Sequence, residues 1–228
     1  MTPLILLDTI ETCLALDPLR TSLFRLGLGE ARVELWIARA LRDAFAREVV
    51  GDYVPFEEVL VDALAAMIDA RHLDVDRDEL AAIVEQFAEL PPYPDVRPAL
   101  ERARAAKLRV AFLTNTSEKA TRKVFDRANL LDLVDWVVSG DQIEHYKPAR
   151  EVYLHAARVL GGPPDGCVTV SAHGWDLRGA LSAGLGAAFV QRGEGIAPDL
   201  ANEVIASRPS LEMLFADLEQ LKVVRRSA

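Results

Sequence analysis

Short apolar runs alternate with helical patterns over most of the chain. The first run spans residues 4–7. Later apolar runs lie at 108–113, 136–138, 167–170 and 187–191, and helical segments lie at 97–106, 117–128, 148–160 and 176–183. Short apolar runs separated by segments with helical spacing are typical of buried strands joined by crossover helices. The pattern therefore predicts an α/β fold in which helices cover both faces of a parallel sheet.

A long helical stretch interrupts this alternation after the first strand. Its first helix is predicted over residues 31–49, its second opens at Pro55, and its third covers 76–90. The clustered prolines of Pro91-Pro92-Tyr93-Pro94 then break the helical pattern. We therefore predict a Rossmann-like core made of residues 1–13 and 94–228, with a helical cap, residues 14–93, inserted after the first strand.

Composition excludes several classes of function. The 228 residues are half hydrophobic and carry a net charge of −9, without a basic block, which argues against a nucleic-acid surface. Cys13 and Cys167 have no partner at metal-binding spacing, and we expect both to be buried thiols of a reducing compartment. No apolar segment approaches the ~20 residues of a membrane span. We expect a soluble, cytoplasmic protein.

Polar residues stand at or just beyond the ends of four predicted strands. Asp8 follows the first apolar run and precedes Thr12 by four residues, and Thr114-Asn115 closes the second run. Lys147 comes after the third run, and Ser171 to Asp176 follow the fourth. Ligands of open α/β sheets bind at the carboxyl ends of the strands, so these side chains form a candidate site. Taken alone, Asp8 could equally be a structural or capping residue.

The four groups in this order resemble the motifs of the haloacid dehalogenase superfamily. Their residues are most similar to those of the (S)-2-haloacid dehalogenase branch. The resemblance is carried by Leu7–Thr12, Leu113–Ser117, Tyr146–Tyr153 and Ser171–Asp176. It implies a Rossmann-like core with an inserted cap and an active site between the two. It also implies that Asp8 is a nucleophile, because a carboxylate can form a covalent ester and divide one difficult step into two.

The residue two positions after Asp8 argues against phosphoryl transfer. Superfamily phosphatases typically carry a second Asp there as a general acid, whereas this chain has Ile10, which has no proton to give and cannot ligate a metal. The fourth motif offers Asp176 as its one carboxylate, and Mg²⁺ prefers several oxygen ligands. We therefore expect no metal and no other cofactor, and a magnesium-dependent phosphatase is the least favoured function.

For a dehalogenase, the resemblance implies a role for each remaining polar residue. Asp8 displaces halide, and a water positioned or activated by Asp176 and Lys147 hydrolyses the resulting ester. Lys147 also offsets the negative charge around Asp8. The residues expected to hydrogen-bond the carboxylates of enzyme and substrate are Thr12, Thr114, Asn115 and Ser171.

Three larger side chains lie in or near these motifs, and two of them, Trp175 and Tyr153, have two interpretations each. His173 stands where better-known dehalogenases have Asn, and it is the histidine best placed to contact substrate and to titrate near neutral pH. Trp175 is either an apolar wall for the substrate or a loop residue packed against the cap. Tyr153 lies six residues after Lys147, where dehalogenases also carry a tyrosine, and it is either a substrate contact or a core aromatic of the following helix.

The chain departs from the dehalogenase pattern at the cap. The family holds the leaving halide with an arginine one residue after a Leu-Trp pair, but here Leu35-Trp36 is followed by Ile37. Arg39, two residues further along, is rotated by about 200° on a helix and should not face the same pocket. The predicted pocket is therefore unusually apolar, with walls from Ile10, Ile37, Leu41, Phe56 and Trp175.

Three functions remain open besides the phosphatase. The first is a 2-haloacid dehalogenase that holds halide by another route, through backbone amides, Asn115 or His173. The second is a related hydrolase of a different small substrate, and the third is a catalytically silent binding protein. The expected partner is a small molecule, in the first case a small organic anion, with no nucleic acid and no membrane. A homodimer is one option for the oligomeric state.

Overall fold

Six strands form one parallel sheet in the computed structural model, which describes residues 3–29 and 32–226. The strands are β1 (Leu4–Leu7), β2 (Arg109–Thr114), β3 (Trp136–Ser139), β4 (Cys167–Ser171), β5 (Gly186–Val190) and β6 (Ala206–Arg208). Their order is β3-β2-β1-β4-β5-β6, and all neighbours run parallel. The predicted α/β fold with a Rossmann-like sheet is confirmed. Because β1 lies between β2 and β4, the carboxyl ends of three strands with predicted site residues meet at one edge.

The central strand β1 is apolar at every position because both of its faces are covered. Leu4 and Leu6 belong to one hydrophobic cluster, and Ile5 and Leu7 belong to another on the opposite face. Side chains alternate across a strand, so a strand buried on both faces needs an apolar residue at each position. This explains why the run lacks the polar alternation of a half-exposed strand.

Helices fill the described chain between β1 and the next core helix. They are α1 (Asp17–Arg25), α2 (Val33–Val50), α3 (Phe56–Asp69), α4 (Arg77–Glu85) and a 3₁₀ turn (Gln86–Glu89). The predicted start of α2 at Ala31 lies outside the described residues. The sequence pattern did not predict α1, although a proline in its first turn and the buried pair Leu19 and Leu23, one turn apart, are helix signals. The indole of Trp36 on α2 donates to the carbonyl of Leu60 on α3 over 2.8 Å.

The remaining helices pack on the sheet. They are α5 (Val96–Ala105), α6 (Glu118–Arg127), α7 (Arg150–Val159), α8 (Gly174–Ser182), α9 (Pro198–Ala201) and α10 (Leu211–Arg226). The helix α8 begins at Gly174, two residues before its predicted start. The sequence did not predict β6, α9 and α10. No helix within the described ranges is long and apolar enough to cross a membrane.

Backbone hydrogen bonds bring the two ends of the predicted cap segment together. The amide of Tyr93 donates to the carbonyl of Cys13 over 2.8 Å, and the amide of Ala15 donates to the carbonyl of Pro91 over 2.9 Å. The chain therefore leaves the core and returns to it at one place, next to the loop that carries Asp8.

Polar contacts hold the inserted helices over the carboxyl edge of the sheet. Glu48 on α2 accepts a hydrogen bond from the amide of Tyr146 over 2.8 Å, and its other oxygen lies 2.7 Å from Nδ1 of His145. The Tyr53 hydroxyl donates to Asp141 over 2.9 Å, and the rings of Tyr53 and Tyr146 lie 4.9 Å apart. These contacts tie α2 and the loop before α3 to the segment that follows β3.

Candidate active site

Asp8 is a buried carboxylate with both oxygens held by polar side chains. It follows β1, and its amide donates to the carbonyl of Val170 on β4 over 3.0 Å. Its Oδ1 lies 2.6 Å from Nζ of Lys147, and its Oδ2 accepts hydrogen bonds from the hydroxyls of Thr12 at 2.6 Å and Ser171 at 3.3 Å. The structure thus brings together four of the predicted site residues.

The two hydroxyls have fixed directions. Thr12 Oγ1 accepts a hydrogen bond from the amide of Ala172 over 2.8 Å, and Ser171 Oγ accepts one from the amide of His173 over 3.2 Å. A hydroxyl has one proton to donate. Because a backbone amide already occupies an acceptor position on each hydroxyl, both protons are free to point at Asp8. The carboxylate is therefore preorganised in its ionised form.

Lys147 joins the two acidic residues of the site. Its ammonium lies 2.6 Å from Asp8, 3.0 Å from Asp176 and 3.1 Å from the carbonyl of Leu113, so all three protons have an acceptor. Burial lowers the pKa of Lys147, but Asp176 and Asp8 more than offset this and raise the pKa overall. For Asp8 the effects have the opposite sign. Burial raises the Asp8 pKa, but the charges of Lys147 and then His173 outweigh burial, and the pKa is lowered overall. Both groups are charged at neutral pH.

Asn115 positions the backbone of Lys147. Its Oδ1 accepts from the Lys147 amide over 2.7 Å, and its Nδ2 donates to the Lys147 carbonyl over 3.3 Å. Asn115 also lines the cavity beside Asp8. It therefore holds Lys147 in place, a contact that the sequence did not predict, while it remains within reach of a substrate.

Tyr153 lies behind Asp176 and not in the cavity. Its hydroxyl lies 2.6 Å from Oδ1 of Asp176 and 2.9 Å from the Asp176 carbonyl, and its ring is fully buried. Burial and then the charge of Asp176 raise the Tyr153 pKa well above its usual value. The interpretation of Tyr153 as a substrate contact is therefore replaced by that of a buried aromatic that orients Asp176.

Thr114 is hydrogen-bonded through its hydroxyl to two threonines and not to Asp8, which was one of its expected carboxylate partners. Its hydroxyl accepts from the hydroxyl of Thr9 over 3.0 Å and lies 2.8 Å from the hydroxyl of Thr116, while the side chain lines the cavity. Thr114 is thus hydrogen-bonded to neighbouring loops and not to the nucleophile. Thr9 is a site residue that sequence reasoning missed.

His173 stands between Asp8 and two carboxylates that the sequence did not single out. Its Nε2 lies 3.1 Å from the carbonyl of Ile10 and 3.9 Å from both Asp8 and Glu11, and its Nδ1 lies 3.3 Å from Glu194. Burial lowers the His173 pKa, but Glu194, Asp8 and Glu11 together raise it to about 9. His173 is therefore a cation at neutral pH.

Glu11 was visible in the first motif and is unusual in its backbone. Its φ is 58°, in the left-handed region that non-glycine residues seldom adopt. Glu11 lines the small cavity next to Asp8, and burial raises its pKa. Such a conformation costs on the order of 1–3 kcal/mol and persists where the surroundings fix it, often at functional sites.

A small cavity lies directly above Asp8, and we call it the Asp8 cavity. Its volume is about 30 Å³. The five predicted apolar wall residues all line it: Ile10, Ile37, Leu41, Phe56 and Trp175. The Trp175 ring stacks on His173 with centroids 5.6 Å apart and contacts Phe45 at 5.4 Å. The described residues contain no group of three or more His, Cys, Asp or Glu side chains arranged to hold a metal ion.

Comparison with known proteins gives consistent matches. The family model of haloacid dehalogenase-like hydrolases matches residues 15–184. The chain is 32% identical over 182 residues to an (S)-2-haloacid dehalogenase of Xanthobacter autotrophicus, covering 79% of this chain and 71% of that protein. It is 28% identical over 174 residues to an (S)-2-haloacid dehalogenase of Pseudomonas fluorescens, covering 76% and 77%.

A solved structure gives the same likeness in three dimensions. The L-2-haloacid dehalogenase of Xanthobacter autotrophicus with chloropropionic acid covalently bound superposes with a TM-score of 0.85 at 25% identity. The match covers 95% of this chain and 98% of that structure.

The space behind Tyr153 leads to a first prediction. A Cβ added at Gly179 on α8 would lie 2.6 Å from the Tyr153 hydroxyl and 2.7 Å from Pro148. Gly179→Ala should therefore displace the tyrosine and lower the free energy of unfolding by about 1–3 kcal/mol, as overpacking does. Urea denaturation measures this. Gly166→Ala, whose Cβ would meet neighbours no closer than 3.6 Å, is the control. Equal stability of the two variants would contradict the prediction.

The raised pKa of His173 leads to a second prediction. A group whose pKa is higher in the folded state stabilises the fold below its unfolded pKa, and this contribution is lost as the pH rises through the folded pKa. The free energy of unfolding should therefore fall by about 3 kcal/mol between pH 6.5 and 9, since His173 goes from 6.5 to about 9. Urea denaturation across this range, with His173→Gln as the comparison, measures the effect. A wild-type stability profile as flat as that of His173→Gln would show that His173 is not the titrating group.

Proposed function

The chain belongs to the haloacid dehalogenase-like hydrolase family, and on this premise we propose that it hydrolyses a small 2-halogenated organic acid through a covalent ester on Asp8. The observation that carries the proposal is the state of Asp8. It is an ionised, buried carboxylate held by Lys147, Thr12 and Ser171 next to a cavity with apolar walls. A desolvated carboxylate in a fixed orientation is a strong nucleophile toward carbon.

In the first step an Asp8 oxygen attacks the carbon that carries the halogen. The new carbon–oxygen bond forms as the carbon–halogen bond breaks, and the halide leaves with the bonding electron pair. Halide needs no proton on departure, so the apolar Ile10 at the general-acid position of related phosphatases is no obstacle. The relative crystallised with chloropropionic acid covalently bound supports an ester of this kind.

In the second step water attacks the carboxyl carbon of Asp8. The ester bond breaks, a 2-hydroxy acid leaves with the original Asp8 oxygen, and one proton is released with the halide over the whole cycle. Asp176, held by Lys147 at 3.0 Å and by Tyr153 at 2.6 Å, is the carboxylate in position to orient the water or accept its proton. Lys147 stabilises the negative charge as Asp8 becomes a carboxylate again.

We propose that the reaction proceeds without a metal ion. The cation between the two acidic residues is the Lys147 ammonium itself, 2.6 Å from Asp8 and 3.0 Å from Asp176. The ammonium provides the charge stabilisation that Mg²⁺ provides in metal-dependent enzymes. Halide release should therefore continue when EDTA is added to the assay.

Two groups replace the missing cap arginine in this proposal. His173 is a cation 3.9 Å from Asp8, and it lines the Asp8 cavity together with Trp175. The indole nitrogen of Trp175 is buried and has no hydrogen-bond partner among the residues that the structure describes. A charged imidazole and an unpaired N–H are suited to a departing halide or to the carboxylate of the substrate.

One observation favours a second candidate, a related hydrolase of an uncharged small substrate. Glu11 and Glu194 flank His173, and together with Asp8 and Asp176 they set four carboxylates against the two cations Lys147 and His173. The formal charge of this group is therefore −2. Such a site repels an anion at close range, whereas a 2-halogenated amide would bind without that penalty.

The role of Asp8 gives the third prediction. A single turnover in ¹⁸O-labelled water should place ¹⁸O in Asp8 and leave the product unlabelled, because water attacks the enzyme ester. Mass spectrometry of the Asp8 peptide measures this. Asp8→Asn should lower turnover by on the order of 10⁵-fold, while the control Asp165→Asn, an exposed residue, should not. Label that appears in the first product and not in the enzyme would mean direct attack by water on the substrate.

The charge of the site gives the fourth prediction. Glu11→Gln removes one carboxylate from the Asp8 cavity. It should raise kcat/KM for 2-chloropropionate relative to 2-chloropropionamide by about tenfold, because a like charge within the cavity weakens binding of an anion by ~1–2 kcal/mol. Chloride release measures both substrates. Glu203→Gln, at an exposed position, is the matched control. An unchanged ratio in a folded Glu11→Gln protein would count against electrostatic selection by Glu11.

A further inference from the structure

A second and much larger cavity lies between α3, α4 and α6, and we call it the α3–α6 cavity. Its volume is about 440 Å³, within the size range of small-molecule pockets. Its inner wall is apolar and includes Leu60, Val61, Val84, Phe87, Val124 and Phe125. An engineered apolar cavity of about 150 Å³ in another protein holds benzene, a six-carbon ring, so this one has room for a group of roughly ten or more carbon atoms.

The α3–α6 cavity abuts the Asp8 cavity along three segments of the chain. Thr9 and Ile10 line both cavities. On α3, Phe56 lines the Asp8 cavity and Glu57 lines the other. After β2, residues 114–115 line the first cavity and 116–117 the second. The two spaces therefore lie on opposite sides of a thin wall, and Ile10 belongs to both.

The Asp8 cavity alone offers little room for a substituent. Its volume is about 30 Å³, far below the 440 Å³ of the neighbouring cavity. A substituent on the carbon attacked by Asp8 has to extend beyond it. The larger apolar space next to it begins at Ile10, two residues after the nucleophile.

We infer that the α3–α6 cavity receives the apolar chain on the reacting carbon, so that the substrate is a 2-halogenated acid with a medium-length alkyl or arylalkyl group. This inference rests on the proposed function, since it assigns the tail of the same substrate whose head reacts at Asp8. Passage of the tail requires Ile10 to turn aside. The apolar lining contributes binding energy in proportion to the hydrocarbon surface that it removes from water.

The polar groups around the α3–α6 cavity agree with an apolar occupant. Glu57 accepts hydrogen bonds from the amide of Ser117 over 2.9 Å and from its hydroxyl over 2.8 Å, which ties α3 to the start of α6. The other charged lining residues, Glu58, Glu85, Lys119 and Lys123, are exposed. Apart from Glu57, whose Oε2 is buried without a hydrogen-bond partner among the described residues, the charges stand at the solvent side of the cavity.

A chain-length series tests the inference. Bromide release is measured with 2-bromoalkanoic acids from three to twelve carbons, and kcat/KM should rise by up to about fourfold for each added methylene until the cavity is full. Ala81→Phe places a ring in the cavity from α4 and should abolish this rise while 2-bromopropionate turnover stays unchanged. Ala82→Phe, the exposed neighbour on the same helix, is the matched control and should behave like the wild type.

A binding measurement separates this inference from the proposed function. Decanoate, which cannot react, should raise the Tm of the wild type and of Ala82→Phe but not of Ala81→Phe, and Ala120→Phe on α6 tests the opposite wall. Decanoate binding without turnover of any bromoacid would overturn the proposed chemistry and support the cavity as a ligand site. Turnover that is flat or falls beyond three carbons, or identical profiles for Ala81→Phe and Ala82→Phe, would overturn the inference and leave the chemistry in place.

Discussion

The Lys147 ammonium, buried between Asp8 and Asp176, is the interaction on which the rest of the site depends. Removing three charges from water costs several kcal/mol for each ion, and this cost is offset only where geometry is close and every proton and lone pair has a partner. Here each Lys147 proton has an acceptor, and Asp8 also has two hydroxyl donors. Taking away one partner leaves an unpaired buried charge, so the set is stable only as a whole.

The sheet topology makes this arrangement possible. Asp8 follows β1, Leu113 is the second-to-last residue of β2, and Ser171 ends β4. These are three adjacent strands whose carboxyl ends lie side by side. Lys147 arrives from the loop after β3 and is fixed by Asn115. Gly179 leaves the space in α8 that Tyr153 needs in order to reach Asp176. Residues from six segments therefore converge because the strand order, and not local sequence, sets their distances.

The sequence predicted the parallel sheet, the inserted helices and the convergence of the polar residues at one edge, because these follow from apolar runs and from what stands at their ends. It did not predict β6, a short edge strand that is only partly buried at Ala206–Arg208 and has no apolar run. It left Tyr153 open between a substrate contact and a core aromatic, and it did not predict the hydroxyl partners of Thr114, because a motif gives the order of residues but not the direction of a side chain. Glu194 could not be found at all: it stands far along the chain, in a loop after β5, and only the fold brings it to His173.

The hydrogen bonds that join the two ends of the inserted segment affect how this segment can change in evolution. Backbone hydrogen bonds join Tyr93 to Cys13 and Ala15 to Pro91. The inserted segment is therefore attached to the core as a loop whose two ends are held together. The entropy of closing a loop grows slowly with its length, by about 0.6 kcal/mol for each doubling. Helices can therefore be lengthened, replaced or exchanged in this segment with little effect on the stability of the core. The helices above Asp8 can therefore change while the residues around Asp8 stay the same, and Ile37, where the chain departs from the dehalogenase pattern, lies on one of these helices.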